Sequence, residues 1–177
     1  MKLAYNIPGK LWWIHNFLPY PLYKGIHDAI LKERKDIKFK DTTEFWKKYL
    51  YKDLVPPVTA LTVGYPPFER LKTLIKHNQY FDCPKLSHMS TTIHFLKKGS
   101  GINWHNDGNW TYGASYYINH SWNKNWGGEF MFNDQNGFGF LPVIGNSIII
   151  VKTPLDHKVN NIISPIMPRV SIQLFMR

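Results

Sequence analysis

Residues 86–107 read LSHMSTTIHFLKKGSGINWHND, and the way this stretch divides decides the fold. Leu86–Leu96 is strand-length and rich in β-branched and aromatic side chains, Gly99-Ser100-Gly101 interrupts it, and Ile102–Asp107 is a second strand-length run. The texture continues to the C-terminus. Tyr112–Ile118, Glu129–Phe132, Phe138–Leu141, Ser147–Val151, Asp156–Val159 and Arg169–Met176 alternate with Gly, Asn, Asp and Pro clusters. A turn signal every 8–12 residues or so is the spacing of sandwiches and barrels.

Upstream the pattern is helical. Leu11–Phe17 reads as one opening strand, stopped by Pro19 and Pro21. From Tyr20 to Arg34, Leu22, Ile26, Ala29 and Ile30 recur at three- and four-residue steps, which predicts a helix with one buried face. Asp41 followed by Glu44 is a capping-box signal for a second helix to about Leu50. Pro66-Pro67 opens a third, striped by Phe68, Leu71, Leu74 and Ile75, with Lys76 and His77 near its end. Helices followed by eight strands predict a mainly β (α+β) protein. Its core is a two-sheet jelly roll, a double-stranded β-helix, over about residues 86–177, with a helical layer over about 19–79 packed on one sheet. No repeat or linker divides residues 1–177, so a single domain is expected.

Composition narrows the class. With 44% hydrophobic and 16% aromatic residues, the 177-residue chain has ample apolar surface to offset chain entropy, which excludes disorder. The single cysteine, Cys83 beside Pro84, excludes a disulfide framework and a Cys-rich zinc module and fits a reducing compartment. No run approaches the roughly 18 apolar residues of a membrane helix, and Met1–Lys10 has no leader pattern. A cytoplasmic protein without a membrane partner is expected. Charge is uneven: residues 1–100 carry 17 Lys/Arg against 8 Asp/Glu, and residues 101–177 carry 5 against 4. A basic N-terminal half can recruit nucleic acid or an acidic protein, or it is a solvated helix surface.

The chemistry concentrates on strand spacing. Residues i and i+2 of a strand share a face, so His105 and Asp107 converge, and His157 lies in the strand-like Leu155–Val159. Two histidines and a carboxylate leave positions open on a metal, the ligand pattern of non-haem Fe(II) oxygenases; zinc and manganese take the same ligands. Eight histidines and twelve acids produce about half of one H-x-[DE] match by chance, so the motif needs company. Arg169 and Ser171 supply it: a guanidinium fork and a hydroxyl on one face of the last strand form a carboxylate receptor. Trp104 and Asn106, on the face opposite His105, read as packing residues. His15, His27, His77, His88, His94 and His120 show no partner spacing and read as structural.

In combination these motifs resemble the 2-oxoglutarate/Fe(II)-dependent oxygenases, in particular the prolyl 4-hydroxylase-like branch. Trp12–Leu18 is similar to the strand that opens such domains, and Gly99-Ser100-Gly101 to the glycine-rich turn before the first ligand. Tyr116-Tyr117-Ile118-Asn119 with Trp126-Gly127-Gly128-Glu129-Phe130 resembles the family's "YYLN…GGE…F" stretch. Leu141-Pro142 to Gly145-Asn146-Ser147 resembles the turn before the distal-histidine strand. The resemblance spans roughly residues 11–177. It implies that His105, Asp107 and His157 hold Fe(II), with 2-oxoglutarate and O₂ as co-substrates and ascorbate a further cofactor it allows. Arg169 would pair with the distal carboxylate of 2-oxoglutarate, with hydrogen bonds from Tyr117 and Ser171. Phe95 and Ile102 stand near positions where related enzymes carry tyrosines, which leaves Asn103, on the face of His105, as a candidate replacement contact. Arg169 lies further from the distal histidine than in many prolyl hydroxylases, implying an extra turn at Ile163–Met167.

The substrate implied is a peptidyl proline. Trp110, Tyr112, Trp122 and Trp126 are the aromatic candidates to pack against its ring. The same rings could stack on a nucleobase while the basic half tracks phosphates, so the same chemistry on a nucleic acid is the alternative. A jelly-roll binding protein without catalysis is a third reading. Oligomeric state is not set by any of these features.

Overall fold

A computed structural model of the chain describes residues 1–33, 38–61, 66–81 and 86–177. The Cys83-Pro84 loop and the Arg34 end of the first helix lie outside the described residues.

Strands β5 (Met89–Leu96), β7 (Tyr112–Tyr117), β10 (Ile148–Lys152) and β12 (Arg169–Met176) form the centre of one sheet. Strands β6 (Ile102–His105), β8 (Phe130–Asp134), β9 (Gly137–Leu141) and β11 (Asp156–Val159) form the other. The chain crosses between the two layers at nearly every turn, which makes the double-stranded β-helix. The smaller sheet runs β6-β11-β8-β9. The larger is extended at both edges by β1 (Lys2–Ile7), β2 (Leu11–His15), β3 (Phe39–Asp41) and β4 (Val58–Leu61), giving β1-β2-β10-β7-β12-β5-β4-β3. Every pairing between these strands is antiparallel.

Period-2 alternation sorts each central strand into two faces. On β12, Val170, Ile172, Leu174 and Met176 point outward to the main apolar core, where they meet Ile93, Ala114, Tyr116 and Ile148 of neighbouring strands. Helices α1 (Tyr20–Asp28) and α2 (Pro66–Lys76) cover this face through Tyr23, Ile26, Phe68, Leu71 and Ile75. The other face of β12 carries Arg169, Ser171 and Gln173, all buried against the interior of the jelly roll. A strand buried on both sides, apolar toward the helices and polar toward the interior, is built to line a site.

Asn146 locks the N-terminal layer to this frame. Its side chain accepts from the Leu18 amide and the Tyr116 hydroxyl, both at 2.9 Å, and donates to the Leu18 carbonyl at 2.9 Å. It sits in the left-handed region at φ 56°, which asparagine tolerates better than most residues.

Helix prediction holds in part. α1 passes into a π-helical turn, Ala29–Glu33. The expected second helix is two 3-10 turns, Thr42–Glu44 and Lys48–Tyr51. Asp41 does cap, accepting from the Thr43 amide at 2.9 Å. The helix stops because the Tyr49 and Lys52 carbonyls accept from the Asn103 amide at 3.0 and 3.1 Å, which ties the segment to β6. Strands β1, β3 and β4 were not anticipated: β1 and β3 are largely exposed edge strands, and β4, between β3 and β5, is only 4 residues long. At Ile163–Met167 the chain bends, with the Met167 amide donating to Ser164 Oγ at 3.3 Å. Among the described residues no helix is long and apolar enough to cross a membrane.

Candidate metal centre

β6 and β11 are neighbours, and their register sets His105 directly opposite His157. The two rings lie 4.4 Å apart, centroid to centroid. Asp107, two residues beyond His105, turns its carboxylate between them: His105 Nε2 is 3.9 Å from Oδ1 and His157 Nε2 is 3.9 Å from Oδ2. One ligand atom from each residue lies within 4.8 Å of the others.

The backbone sets the tautomers. His105 Nδ1 lies 2.7 Å from the Asn103 carbonyl, and His157 Nδ1 lies 2.8 Å from that of Leu155. A carbonyl accepts only, so each Nδ1 carries the proton and each Nε2 lone pair faces the shared point, as in histidine ligands steered by an outer partner. Burial first, and the neighbouring His157 second, push the His105 pKa down to about 4, which keeps its imidazole neutral near pH 7. Phe130 stacks on His157 at 5.1 Å and fixes the ring.

Asp107 has its own seat. A Cβ on Gly113 would stand 2.1 Å from Asp107 Oδ2, so the carboxylate occupies the space a larger side chain would fill. Asn106 shapes the turn, donating to Asp156 Oδ1 at 3.2 Å and accepting from the Gly108 amide at 3.2 Å.

The triad lines a cavity of about 460 Å³. Its floor is the interior face of the large sheet, with His94, Ser115 and Gln173; its rim includes Phe45, Tyr49 and Trp110. In the same interior lies Arg169, 0% exposed, with Nη2 donating to Tyr117 Oη at 3.0 Å and Cζ 4.7 Å from the Tyr117 ring centroid. Its Nε and Nη1 are buried without hydrogen-bond partners, and no carboxylate among the described residues pairs with it. A buried guanidinium with spare donors fits a carboxylate ligand, since an unpaired cation and orphan N–H groups are otherwise costly. Gly128, at φ 81°, makes room for it, because a Cβ there would stand 3.0 Å from Arg169 Cδ.

The structure thus gathers His105, Asp107 and His157 in one cluster and Arg169, Tyr117 and Ser171 in another. Ser171 is buried between strands, opposite Tyr117, and accepts from Gln173 Nε2 at 2.9 Å. Asn103 is not brought to the cavity, because its amide group is spent on the Tyr49 and Lys52 carbonyls. Of the aromatic candidates only Trp110 lines the cavity; it stacks with His88 at 5.7 Å, and Arg177 lies 5.2 Å above it. Tyr112 belongs to the main core, edge-on to Phe81 at 4.8 Å, on the helix side of the sheet. Trp122 and Trp126 pack edge-to-face on each other at 5.3 Å, and Trp122 Nε1 donates to the Gly127 carbonyl at 2.8 Å; neither lines the cavity. Trp104 is 38% exposed and lies against Phe138 on the outer face of the small sheet, so it is a surface packing residue.

Phe45, Trp46, Tyr49, His94, Ser115, Gln173 and Gly113 were missed as site residues. The signal for two of them was present: His94, in step with Thr92 on β5, and Gln173, in step with Ser171 and Arg169 on β12, are polar residues on one face of their strands.

No family model and no curated protein matches the sequence. Solved structures do match the fold. A prolyl-4-hydroxylase from Pseudomonas putida is 14% identical, with 95% of this chain and 92% of that chain covered at a TM-score of 0.72. A prolyl hydroxylase from Trichoplax adhaerens, in complex with a hypoxia inducible factor oxygen degradation domain peptide, is 14% identical over 96% and 84% of the two chains at a TM-score of 0.74. A 2OG-Fe(II) oxygenase family oxidoreductase from Burkholderia pseudomallei is 13% identical over 96% and 85% at a TM-score of 0.70. The chain has the double-stranded β-helix fold of these oxygenases.

Proposed function

We propose that this chain is an Fe(II)- and 2-oxoglutarate-dependent dioxygenase that hydroxylates a peptidyl proline, with release of succinate and CO₂. The observation that carries the reading is the pairing, inside one jelly roll, of a two-histidine, one-aspartate cluster with a buried guanidinium that has no carboxylate partner among the described residues. The shared fold with two prolyl hydroxylases supports the substrate class.

His105 and His157 would hold the metal through Nε2 and Asp107 through its carboxylate, leaving positions for co-substrate and O₂. Bound there, Fe(II) supplies the coupling of O₂ reduction and 2-oxoglutarate decarboxylation to C–H oxidation; one oxygen atom goes to the product and one to succinate. Arg169, oriented by Tyr117, binds the distal carboxylate with its unused Nε and Nη1 donors. Ile102, Phe130, Ile149, Val151 and Val159 line the cavity with apolar surface, which excludes water and strengthens that ion pair. Phe45, Tyr49 and Trp110 offer ring faces at the rim, a fitting surface for a pyrrolidine ring.

The test is succinate release by the iron-loaded protein with a proline-rich peptide array, read alongside the gain of one oxygen by mass. Peptide-dependent turnover in wild type that disappears in His105→Ala supports the reading. Stimulation by an oligonucleotide instead of any peptide would move the chemistry to a nucleic acid. Failure to bind Fe(II) would leave a non-catalytic jelly roll.

A further inference from the structure

The interior face of the large sheet carries two polar rows. Strand register sets His94 opposite Ser171, and Ser171 opposite Tyr117; one rung away Thr92 faces Gln173, and Gln173 faces Ser115. The second row is internally satisfied: Ser115 Oγ donates to Gln173 Oε1 at 2.7 Å, and Gln173 Nε2 donates to Ser171 Oγ at 2.9 Å. The first row is not. His94 is 3% exposed, its Nε2 is 3.1 Å from Thr92 Oγ1, and its Nδ1 is buried with no partner. Arg169, one rung from His94 on the same face of β12, holds two further donors without partners.

Two orphan groups on the interior face of adjacent strands are unusual in a chain that satisfies the polar groups around them; His94 lines the cavity, and Arg169 is fully buried one rung from it. Trp46 packs edge-on against the His94 ring at 5.2 Å and holds it in the cavity wall. Burial first, and the Arg169 charge second, drive the His94 pKa down to about 3, so His94 meets any ligand as a neutral imidazole. The Thr92 hydroxyl can donate or accept; in the tautomer in which His94 Nε2 accepts from it, Nδ1 carries the ring proton and is a donor.

We propose that His94 is a second receptor, beside Arg169, for the distal carboxylate of the keto-diacid, donating from Nδ1 while Nε2 accepts from the Thr92 hydroxyl. The proposal rests on the dioxygenase reading and adds to it a residue that discriminates a diacid from a monoacid. Arg169 supplies charge; His94 supplies direction without adding a second cation to a buried site.

The test uses protein loaded with Mn(II), which cannot turn over, and the ligand dependence of thermal unfolding to give affinities for 2-oxoglutarate and for the keto monoacid 2-oxobutyrate. His94→Phe keeps an aromatic ring against Trp46 and removes the donor. We expect about 10- to 100-fold weaker binding of 2-oxoglutarate, with Mn(II) affinity and 2-oxobutyrate binding unchanged. A folded variant that binds 2-oxoglutarate like wild type, or that loses both keto acids equally, overturns the proposal. If His94→Phe does not fold, the ring ¹⁵N signals of His94 in wild type loaded with diamagnetic Zn(II) decide: the Nδ1–H tautomer with an Nδ1 shift on adding 2-oxoglutarate is expected, and no shift overturns it. Wild type that binds Mn(II) but neither keto acid would overturn the dioxygenase reading itself, and the role of His94 with it.

Discussion

Gly113→Ala is the sharpest probe of the metal centre, because it adds one methyl group against one ligand. The new Cβ would stand 2.1 Å from Asp107 Oδ2, 3.2 Å from its Cγ and 3.5 Å from Val151 Cγ2. Carbon and oxygen do not approach much closer than about 3 Å, so the carboxylate oxygen must retreat by about 1 Å. Metal–ligand distances tolerate about 0.2 Å, and a displacement of 1 Å at a site costs on the order of 100-fold. The backbone does not resist the change: Gly113 is not among the glycines at positive φ, and the nearest obstacle is the mobile end of a side chain. Unfolded-state entropy then favours alanine by about 0.4–1 kcal/mol. The expected result is a metal-free protein as stable as wild type, or slightly more so, with Fe(II) and Mn(II) affinity lowered about 100-fold. Equilibrium dialysis and thermal unfolding read the two quantities separately. Gly25→Ala, whose Cβ meets nothing within 4 Å, is the control and keeps full affinity. Wild-type affinity in Gly113→Ala would refute the placement of Asp107, and a large loss of metal-free stability would refute the claim that only a side chain must move.

Three further outcomes are expected. Arg169→Met removes a buried cation that has no counter-charge among the described residues, so it leaves metal-free stability unchanged or raises it by about 1–4 kcal/mol while abolishing 2-oxoglutarate binding; urea unfolding and ligand-induced thermal shifts check both halves. His94, held near 3 in the fold against 6.5 unfolded, binds protons in the unfolded chain first, so stability is flat above about pH 6.5 and falls on acidification toward 3. Its share is up to about 1.4 kcal/mol per pH unit, and metal-free His94→Phe should show a correspondingly shallower fall in urea titrations across that window. Asn146→Ala removes three hydrogen bonds and an asparagine from a left-handed position, and should cost about 3 kcal/mol or more by chemical denaturation without moving the metal ligands.

Strand spacing carried much of this site on its own. His105 and Asp107 two apart, and Arg169 and Ser171 two apart, share faces by geometry alone. What pairs them across the fold is register, which sets His157 against His105 and Ser171 against Tyr117, and register is invisible before the sheets are assembled. The same parity separates Tyr112 from Tyr117: five residues apart on one strand, they point to opposite sides, the first into the helix-covered core and the second into the cavity side. His94 was read as structural because it shows no partner spacing in the sequence; Ser171 and Tyr117 come into line with it only when β5, β12 and β7 pair. The Thr42–Tyr51 segment reads as helical because its cap is real; the bonds that stop it come from Asn103, some fifty residues downstream.

The carbonyls of Asn103 and Leu155 aim the two imidazoles. Neither instruction resides in a side chain, so a substitution at either position that keeps the local backbone leaves it in place. The imidazoles therefore take their direction from the course of the chain, and the identity of the two residues that supply it is free to vary.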